Sequence, residues 1–354
     1  MIKLIHTADI HLGSAMNTRL PAGKSEERRR EVRATFGRMA DYAAENAFNG
    51  VLICGDAFDS DRPLKKDKEY FYNVIKVHPD LQFFYLRGNH DVGESYTEEL
   101  PNLKTFSREW TYYSYGDVII AGIELYEGNI QSFYSTLSLD PVKTNIVLLH
   151  GQISEGEGAG LINLLKLRGR NIDYLALGHV HSFKSGRLDD RGVYAYSGCL
   201  EGRGFDETGT KGFIALQAGH AVYSQFVPFA SRTVREVVCD ISPCRDWPSA
   251  ARAALAACPD SPRDMLRVIL KGEVSFDNTT LAADVQKELE PRFYCVSVKD
   301  ATRRAIDPAA LAADRTLKGA FVRAVLAAGG YSGEQKSLII NAGLKALSGR
   351  GDEL

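Results

Sequence analysis

The chain begins with the sequence MIKLIHTADIHLG, residues 1–13, which joins a short apolar run to a polar loop. The apolar run Ile2–Ile5 predicts a β-strand, and the loop Thr7–Gly13 follows it. Within that loop, Asp9 and His11 stand two residues apart, so both side chains can be aimed at one point. The same order, a strand and then a polar cluster, recurs along the first two thirds of the chain and decides the predicted fold.

Short apolar runs alternate with amphipathic segments through this region, as strands interleaved with helices do. Ser25–Asn46 predicts a helix because its apolar residues recur every three or four positions, and Asp67–Val77 is a second predicted helix. The further predicted strands are Val51–Cys54, Gln82–Leu86, Val118–Ile123, Ile146–Leu149, Tyr174–Leu177, Val193–Tyr196 and Phe213–Leu216. Open α/β sheets place their chemistry beyond the carboxyl ends of the strands, which is where the polar clusters fall. The sequence therefore predicts an α/β fold.

The sequence changes in character after Pro228. A compact α+β module is indicated by predicted strands at Val234–Ile241, Met265–Val274 and Tyr294–Val298 and predicted helices at Trp247–Cys258 and Thr280–Leu289. Two more predicted helices, Pro308–Ala328 and Ser332–Leu347, are separated by a pair of glycines. We therefore expect three parts, which are residues 1–228, 229–305 and 306–354.

The composition is that of a folded globular protein, since 44% of the 354 residues are hydrophobic and 25% are charged. Forty-three lysines and arginines face 45 aspartates and glutamates, so any contact with DNA has to be local. No stretch approaches the roughly 18–20 apolar residues of a membrane span, and no signal-peptide core is seen. We expect a cytoplasmic protein without a membrane contact.

The six cysteines form no Cys-x-x-Cys pair, which is typical of reduced thiols rather than of a disulfide framework or a zinc cluster. Cys239, Cys244 and Cys258 are near enough in sequence to share a metal, but no fourth ligand stands nearby. We expect unpaired thiols, with a metal site at these three as the alternative.

Five of the eight histidines lie at the ends of predicted strands, each in a cluster with Asp, Asn or Gly. The clusters are Asp9-Ile10-His11, Gly55-Asp56, Gly88-Asn89-His90-Asp91, His150-Gly151 and Gly178-His179-Val180-His181. Imidazole, carboxylate and amide ligands suit Mn²⁺, Fe²⁺ or Zn²⁺, and a carboxylate such as Asp56 can bridge two cations. Two cations about 3.5–4 Å apart can stabilise the charge of a phosphoryl transition state while water is activated. The pattern predicts two-metal hydrolysis, with His90 as the candidate general acid.

Taken in order, these clusters resemble the motifs of the calcineurin-like metallophosphoesterase superfamily. The resemblance implies a metallophosphoesterase β-sandwich flanked by helices and two divalent metal ions, with Mn²⁺ expected and Fe²⁺ or Zn²⁺ as alternatives. It implies that Asp9, His11 and His181 bind one metal, that Asn89, His150 and His179 bind the other, and that Asp56 bridges them. It also implies that His90 protonates the leaving group and that Asp91 orients His90.

Within the superfamily, HTADIHLG at 6–13, GDAFD at 55–59 and YSG at 196–198 are similar to the SbcD-type DNA repair nuclease subunits, with the compact length of the YhaO-like branch. This resemblance covers about residues 1–228. It implies that residues 229–305 form a capping domain, that the terminal helices bind an SbcC-like SMC-type coiled-coil ATPase, and that the chain forms a homodimer. Some relatives have a DNA-positioning histidine three residues after the bridging aspartate, whereas this chain has Asp59, whose negative charge would not attract a phosphate.

Arg203 and Lys211, together with Arg187 and Arg191, surround the Tyr196-Ser197-Gly198 segment in sequence and are candidates for phosphate or DNA contact. Ordinary surface charge is the alternative. For the chain as a whole, we expect a two-metal phosphodiesterase acting on DNA, an SbcD-like exonuclease and endonuclease. Two other functions stay open: hydrolysis of a phosphomonoester, cyclic nucleotide or phosphoprotein by the same metals, and a non-catalytic subunit that recruits an ATPase.

Overall fold

The computed structural model describes residues 1–16, 20, 22–91, 98–156, 158–276, 278–304 and 315–347. It contains two compact units, one made of Met1–Arg235 with Arg263–Met265, the other of Glu236–Pro262 with the described residues from Leu266 onward. The division into residues 1–228, 229–305 and 306–354 stays a prediction. Residues 306–314, which hold the start of the first predicted terminal helix, lie outside the described residues.

The first unit contains two six-stranded mixed sheets. In spatial order, the first sheet consists of β14 (Val222–Pro228), β13 (Gly212–Ala218), β1 (Ile2–Thr7), β2 (Gly50–Cys54), β3 (Gln82–Leu86) and β4 (Leu103–Thr105). Strands β1 to β4 are parallel, and β13 and β14 join them in antiparallel pairs. Every residue of β2 is buried, because this apolar strand is covered on both faces.

The second sheet has its parallel strands in the centre and antiparallel strands at both edges. In spatial order, it consists of β11 (Lys184–Arg187), β12 (Val193–Tyr196), β10 (Tyr174–Gly178), β7 (Thr144–His150), β6 (Val118–Gly122) and β5 (Thr111–Tyr115). The sequence does not predict the edge strands β5, β11 and β14. Their side chains are largely exposed or half-buried, so they lack the apolar run that identifies the central strands.

The two sheets pack face to face and share an apolar core that includes Leu52 and Phe84 from the first sheet and Leu148 and Ala176 from the second. Helices α1 (Ala22–Glu45) and α2 (Lys65–Lys76) cover the outer face of the first sheet, where Phe36 packs with other buried aromatic side chains. Short elements cover the second sheet: α3 (Phe133–Thr136), α4 (Leu164–Leu167), β8 (Gln152–Ile153) and β9 (Leu161–Ile162). The predicted β-sandwich flanked by helices is confirmed.

The loops at the carboxyl ends of β1 and β2 run side by side and are joined through their main chains. The Asp9 N–H donates to Gly55 O and the His11 N–H donates to Asp56 O, each at 3.0 Å. In the second sheet, the register places Gly178 at the end of β10 beside His150 at the end of β7. The strand pairing therefore brings residues that are distant in sequence to one edge of the sandwich.

The second unit has its own sheet and core. Apart from Val234, Arg235 and Met265, it contains a three-stranded sheet that consists, in order, of β15 (Val234–Asp240), β16 (Met265–Lys271) and β18 (Cys295–Asp300). The two-residue strands β17 (Glu273–Val274) and β19 (Arg303–Arg304) pair separately. The helices are α5 (Trp247–Ala257), α6 (Leu281–Leu289), a 3-10 turn at Glu290–Arg292, α7 (Leu317–Ala327) and α8 (Gly333–Leu347). Val322, Val325 and Ile340 pack α7 against α8. This is the α+β character that the sequence predicts after Pro228.

Two expectations about the whole chain bear on its function. Within the described ranges, no helix is both long and apolar enough to cross a membrane. None of the six cysteines forms a disulfide, and in the same ranges no cluster of metal-ligating side chains includes Cys239, Cys244 or Cys258. The described residues do form two groups of metal-ligating side chains, and both lie at one edge of the sandwich.

Candidate metal centre

The loops that carry the predicted ligands are held in strained backbone conformations. Asp9, His11, Asp56 and His179 have φ values of 50°, 51°, 53° and 99°, in the left-handed region that non-glycine residues rarely adopt. Each such residue costs about 1–3 kcal/mol, and such residues cluster at functional sites. The strain therefore coincides with four of the seven predicted ligands.

Two glycines leave the space that ligand side chains occupy. A Cβ atom at Gly55, whose φ is 89°, would overlap the His150 ring, and one at Gly88 would overlap the Asp56 carboxylate. The glycines in the Gly-Asp and Gly-Asn pairs of the sequence are thus required by close approach of the neighbouring loops.

The first ligand group consists of Asp9, His11 and His181, whose candidate ligand atoms all lie within 4.8 Å of one another. The Nε2 atoms of His11 and His181 are 3.1 Å apart, and Asp9 Oδ1 lies 3.9 Å from the His181 Nε2. The Asp9 carboxylate is buried and accepts the main-chain N–H of His179 at 3.0 Å. Loops from both sheets therefore form this group.

The second ligand group consists of Asp56, His150 and His179, again with candidate ligand atoms within 4.8 Å of one another. Asn89 completes it, since its Oδ1 lies 3.0 Å from His150 Nε2 and 3.2 Å from His179 Nδ1. Asp56 Oδ2 is 3.3 Å from His150 Nε2 and 4.0 Å from the His11 Nε2 of the first group. Asp56 therefore stands between the two groups, where a bridging ligand would stand.

Two of the histidines are held from behind by a hydrogen bond through Nδ1, and a carboxylate lies close to Nδ1 of a third. The acceptor is Glu207 Oε1 for His181, at 2.8 Å, and the main-chain oxygen of Cys54 for His150, also at 2.8 Å. For His11, Asp59 Oδ1 lies 3.1 Å from Nδ1. A carboxylate or carbonyl behind a metal-ligating histidine fixes its ring and makes the other nitrogen a better ligand. Each of these rings therefore presents Nε2 to the centre.

This arrangement fits bound cations. The Nδ1 atom of His181 is directed at Glu207, and the Nε2 atoms of His11 and His181 face each other at 3.1 Å. A proton or a cation has to lie between them to offset the repulsion. The nitrogen, carboxylate and amide donors of the two groups match what Mn²⁺, Fe²⁺ and Zn²⁺ accept. The residues thus fit a pair of divalent ions.

The surroundings set opposite protonation tendencies across the site. Burial lowers the pKa of His11 more than nearby carboxylates raise it, whereas for His181 burial is opposed by the bond to Glu207 and by the charges of Asp9 and Glu207, which together raise the pKa. Burial also opposes the charged form of His150, but the neighbouring Asp56 raises its pKa to about 9. The same pairing overcomes burial to lower the pKa of Asp56. Cations that bind these histidines therefore have to displace protons.

His90 and Asp91 have different surroundings. His90 lies at the opening with its ring edge-on to that of His11, and its Nδ1 donates to the main-chain oxygen of Asp59 at 3.1 Å. The hydrogen bonds of the described residues do not join Asp91 to the His90 ring, and the role of Asp91 in orienting that ring stays a prediction. The buried Asp91 carboxylate accepts main-chain N–H groups of Ala57, Phe58 and Gly88 at 3.0–3.2 Å, and therefore joins the two loops that carry Asp56 and Asn89.

Arg203 and Lys211, the candidates for phosphate or DNA contact, both have partners within the protein, and the contact stays a prediction. Lys211 is 2% exposed, and its Nζ donates to the main-chain oxygen of His181 at 2.6 Å. The Arg203 guanidinium pairs with Asp59 at 2.5 Å and with Glu207 at 2.6 Å. Both side chains therefore contact groups next to His11 and His181 and support these predicted ligands.

Arg187 and Arg191, their neighbours in sequence, pair with Asp190 and Asp173 instead.

Glu207 has a structural role that the sequence does not predict. It carries no motif, and it reaches His181 only because the loop after β12 folds back on the site. An acidic residue four positions after Arg203 is the one local signal that a paired network was present.

Comparison with known proteins agrees with the geometry. The family model for calcineurin-like phosphoesterase matches residues 2–183. The chain is 26% identical to the DNA double-strand break repair protein Mre11 of Sulfurisphaera tokodaii over 213 residues, 55% of this chain and 53% of that protein. It is 22% identical to the Mre11 protein of Aeropyrum pernix over 324 residues, 81% of this chain and 77% of that one.

A third relative is the SbcD component of the nuclease SbcCD from Rhodobacter capsulatus, 29% identical over 94 residues, 25% of this chain and 22% of that protein. The chain spans about half the length of several curated relatives that it matches. Since the family match includes the loops with Asp9, Asp56, Asn89, His150, His179 and His181, the chain belongs to the calcineurin-like phosphoesterase family.

Proposed function

We propose that the protein is a two-metal phosphodiesterase that cleaves DNA, as the nuclease component of a DNA repair complex. The observation that carries the proposal is the similarity to the Aeropyrum pernix relative, which extends over 324 residues and so continues beyond the phosphoesterase match at 2–183. The relatives named for DNA double-strand break repair and for nuclease activity support DNA as the substrate.

In this proposal, Asp9, His11 and His181 hold one metal ion, Asn89, His150 and His179 hold the other, and Asp56 binds both. Bound together, the ions supply an activated water and positive charge for the phosphoryl oxygens. The histidine, carboxylate and amide donors accept Mn²⁺, Fe²⁺ and Zn²⁺. Of these we propose Mn²⁺, which the family resemblance implies.

His90 is proposed as the general acid. Its Nδ1 is engaged with the Asp59 carbonyl at 3.1 Å, so Nε2 is the atom that can deliver a proton to the departing sugar oxygen. The His90 main-chain N–H donates to Asp56 Oδ1 at 2.9 Å, which ties the position of the acid to the carboxylate at the centre of the site. The proton donor and the proposed bridging ligand are therefore fixed to each other.

The test is cleavage of end-labelled single- and double-stranded oligonucleotides by the purified chain with Mn²⁺, compared with hydrolysis of p-nitrophenyl phosphate, a phosphomonoester. DNA cleavage that His90→Ala abolishes and His220→Ala leaves intact supports the proposal, since His220 is exposed and lies outside both ligand groups. If the chain hydrolyses the monoester rapidly but does not cleave DNA, it is instead a phosphatase. If both variants cleave DNA like the unaltered chain, His90 is not the general acid.

The partners are also part of the proposal. The name of the Rhodobacter relative, which marks it as one component of SbcCD, supports an assembly with a second protein. For that protein we propose an SbcC-like SMC-type coiled-coil ATPase that binds the terminal helices α7 and α8. We further propose a homodimer and a cytoplasmic location. Light scattering of the purified chain tests the dimer, and co-purification of the ATPase with the full chain, but not with one that ends before Leu317, tests the complex.

A further inference from the structure

A cavity of about 410 Å³ opens beside the second ligand group. It is bordered on one side by Asn89, His150 and His179, and its remaining wall includes Arg87, Arg108, Glu124, Tyr126, Gln152 and Leu161. The volume lies within the roughly 300–1,000 Å³ typical of ligand pockets. A group attached to a phosphate at the metal centre would therefore find this cavity directly next to it.

The wall of the cavity is nearly balanced in charge, since its two arginines are matched by Glu124 and Glu127. Arg87 forms a two-point ion pair with Glu124, at 2.8 Å and 2.6 Å. A subsite for another phosphate would need unbalanced positive charge. The cavity instead offers an aromatic ring, apolar side chains and a few polar edges, which suit an uncharged flat group.

The aromatic ring is held in place before any ligand binds. Tyr126 is 39% exposed, and the Arg108 guanidinium lies 4.6 Å from the centre of its ring. The buried Asn129 fixes both residues, because its amide donates to the main-chain oxygens of Arg108 and Glu124 at 3.0 Å and 2.9 Å and accepts the Tyr126 N–H at 3.0 Å. Asn129 therefore anchors the main chain of the two loops that carry Tyr126 and Arg108, whose guanidinium lies over the Tyr126 ring.

We propose that this cavity holds the base of the nucleotide whose phosphate occupies the metal centre, stacked on Tyr126. The inference rests on the proposed action on DNA and specifies how one nucleotide of the substrate is held. Stacking of a base on an aromatic side chain tolerates any base, so the pocket should contribute affinity without sequence preference.

The test is calorimetric binding of thymidine 5′-monophosphate and of inorganic phosphate to the Mn²⁺-loaded full chain. The nucleotide should bind roughly 5- to 100-fold more tightly than phosphate, and Tyr126→Ala should remove that advantage and leave phosphate affinity unchanged. Tyr126→Phe, which keeps the ring, should bind the nucleotide like the unaltered chain. Tyr223→Ala is the control, because Tyr223 is 65% exposed on the edge strand β14.

Equal affinity for the two ligands, or an equal loss for both in Tyr126→Ala, would overturn the proposal. The outcome is separable from that of the nuclease proposal. Base-dependent binding in a chain that cleaves no DNA would leave the pocket assigned and reject the nuclease function. DNA cleavage with the same KM in the unaltered chain and in Tyr126→Ala would support the nuclease function and reject the base pocket.

Discussion

Replacing Glu207 with glutamine removes the negative charge behind His181 without changing the size of the side chain. One carboxylate oxygen of Glu207 accepts from His181 Nδ1 at 2.8 Å and from Arg203 Nη2 at 2.6 Å, and the other accepts the Arg203 main-chain N–H at 2.7 Å. Both oxygens therefore face donors. A glutamine in this place has to turn its NH₂ group toward one set of them.

The expected effect is on the first ligand group alone. Loss of a partner behind a ligating histidine typically costs about 10–100-fold in metal affinity or activity, which is about 1.4–2.7 kcal/mol. Glu207 is 5% exposed, so solvent does not replace the missing charge. His150 has a carbonyl partner in Cys54, so the second ligand group should keep its affinity. Saturating Mn²⁺ should restore most of the activity if Glu207 acts only through His181.

Electron paramagnetic resonance of free Mn²⁺ during a titration gives the number and affinity of the sites. Glu207→Gln should show one unchanged and one weakened site. Glu69→Gln is the matched control, since Glu69 is 63% exposed and pairs only loosely, at 3.6 Å, with Lys65. Two sites of unaltered affinity in Glu207→Gln would refute the reasoning, because His181 would then need no anion behind it.

Further predictions follow from the same contacts. His90→Ala should lower turnover by roughly 10²–10⁴-fold with both Mn²⁺ ions bound, whereas Asp56→Ala should lose metal as well, as kinetics and metal analysis of the two variants will show. Burial lowers the pKa of His6 from 6.5 to about 3, so protons favour the unfolded chain and stability falls as the pH drops below 6.5; His6→Gln should flatten this dependence in urea unfolding. Gly88→Ala should displace Asp56 and weaken Mn²⁺ binding, whereas Gly23→Ala, which meets no neighbour within 4 Å at the start of α1, should leave Mn²⁺ binding unchanged in the same titration. Because protonated histidines have to release protons to bind cations, calorimetry should show tighter Mn²⁺ binding at pH 8 than at pH 6.

The ligand positions can be predicted from sequence because each follows a buried strand. Apolar runs such as Val51–Cys54 identify the strands, and parallel pairing places their carboxyl ends at one edge. Asp9, Asp56 and His150 can then be placed together without knowing any side-chain contact. What the sequence leaves open is which oxygen or nitrogen of each side chain faces the centre.

The partners of charged residues are harder to predict, because they are set by loops that meet only in the folded chain. Arg203 and Lys211 look like surface cations in sequence, yet one pairs with Asp59 and Glu207 and the other donates to the His181 main-chain oxygen. Asp59 illustrates the same point. Its negative charge is paired with Arg203 and lies 3.1 Å from His11 Nδ1. Asp59 therefore contacts a predicted metal ligand, whereas its charge would not attract a phosphate.

The backbone conformation of the candidate metal centre lowers the stability of the folded chain. Strain at four ligand positions, at about 1–3 kcal/mol each, opposes folding. The buried strands β1, β2 and β3 fix the loops, so this cost cannot be relieved by a local shift. Bound cations would offset it, since an ion present at a hundredfold excess over its Kd stabilises a folded protein by about 2.7 kcal/mol. We therefore expect chelation of an Mn²⁺-loaded chain to lower the Tm measured by thermal unfolding, and an unchanged Tm would mean that the folded chain holds no ion at these positions.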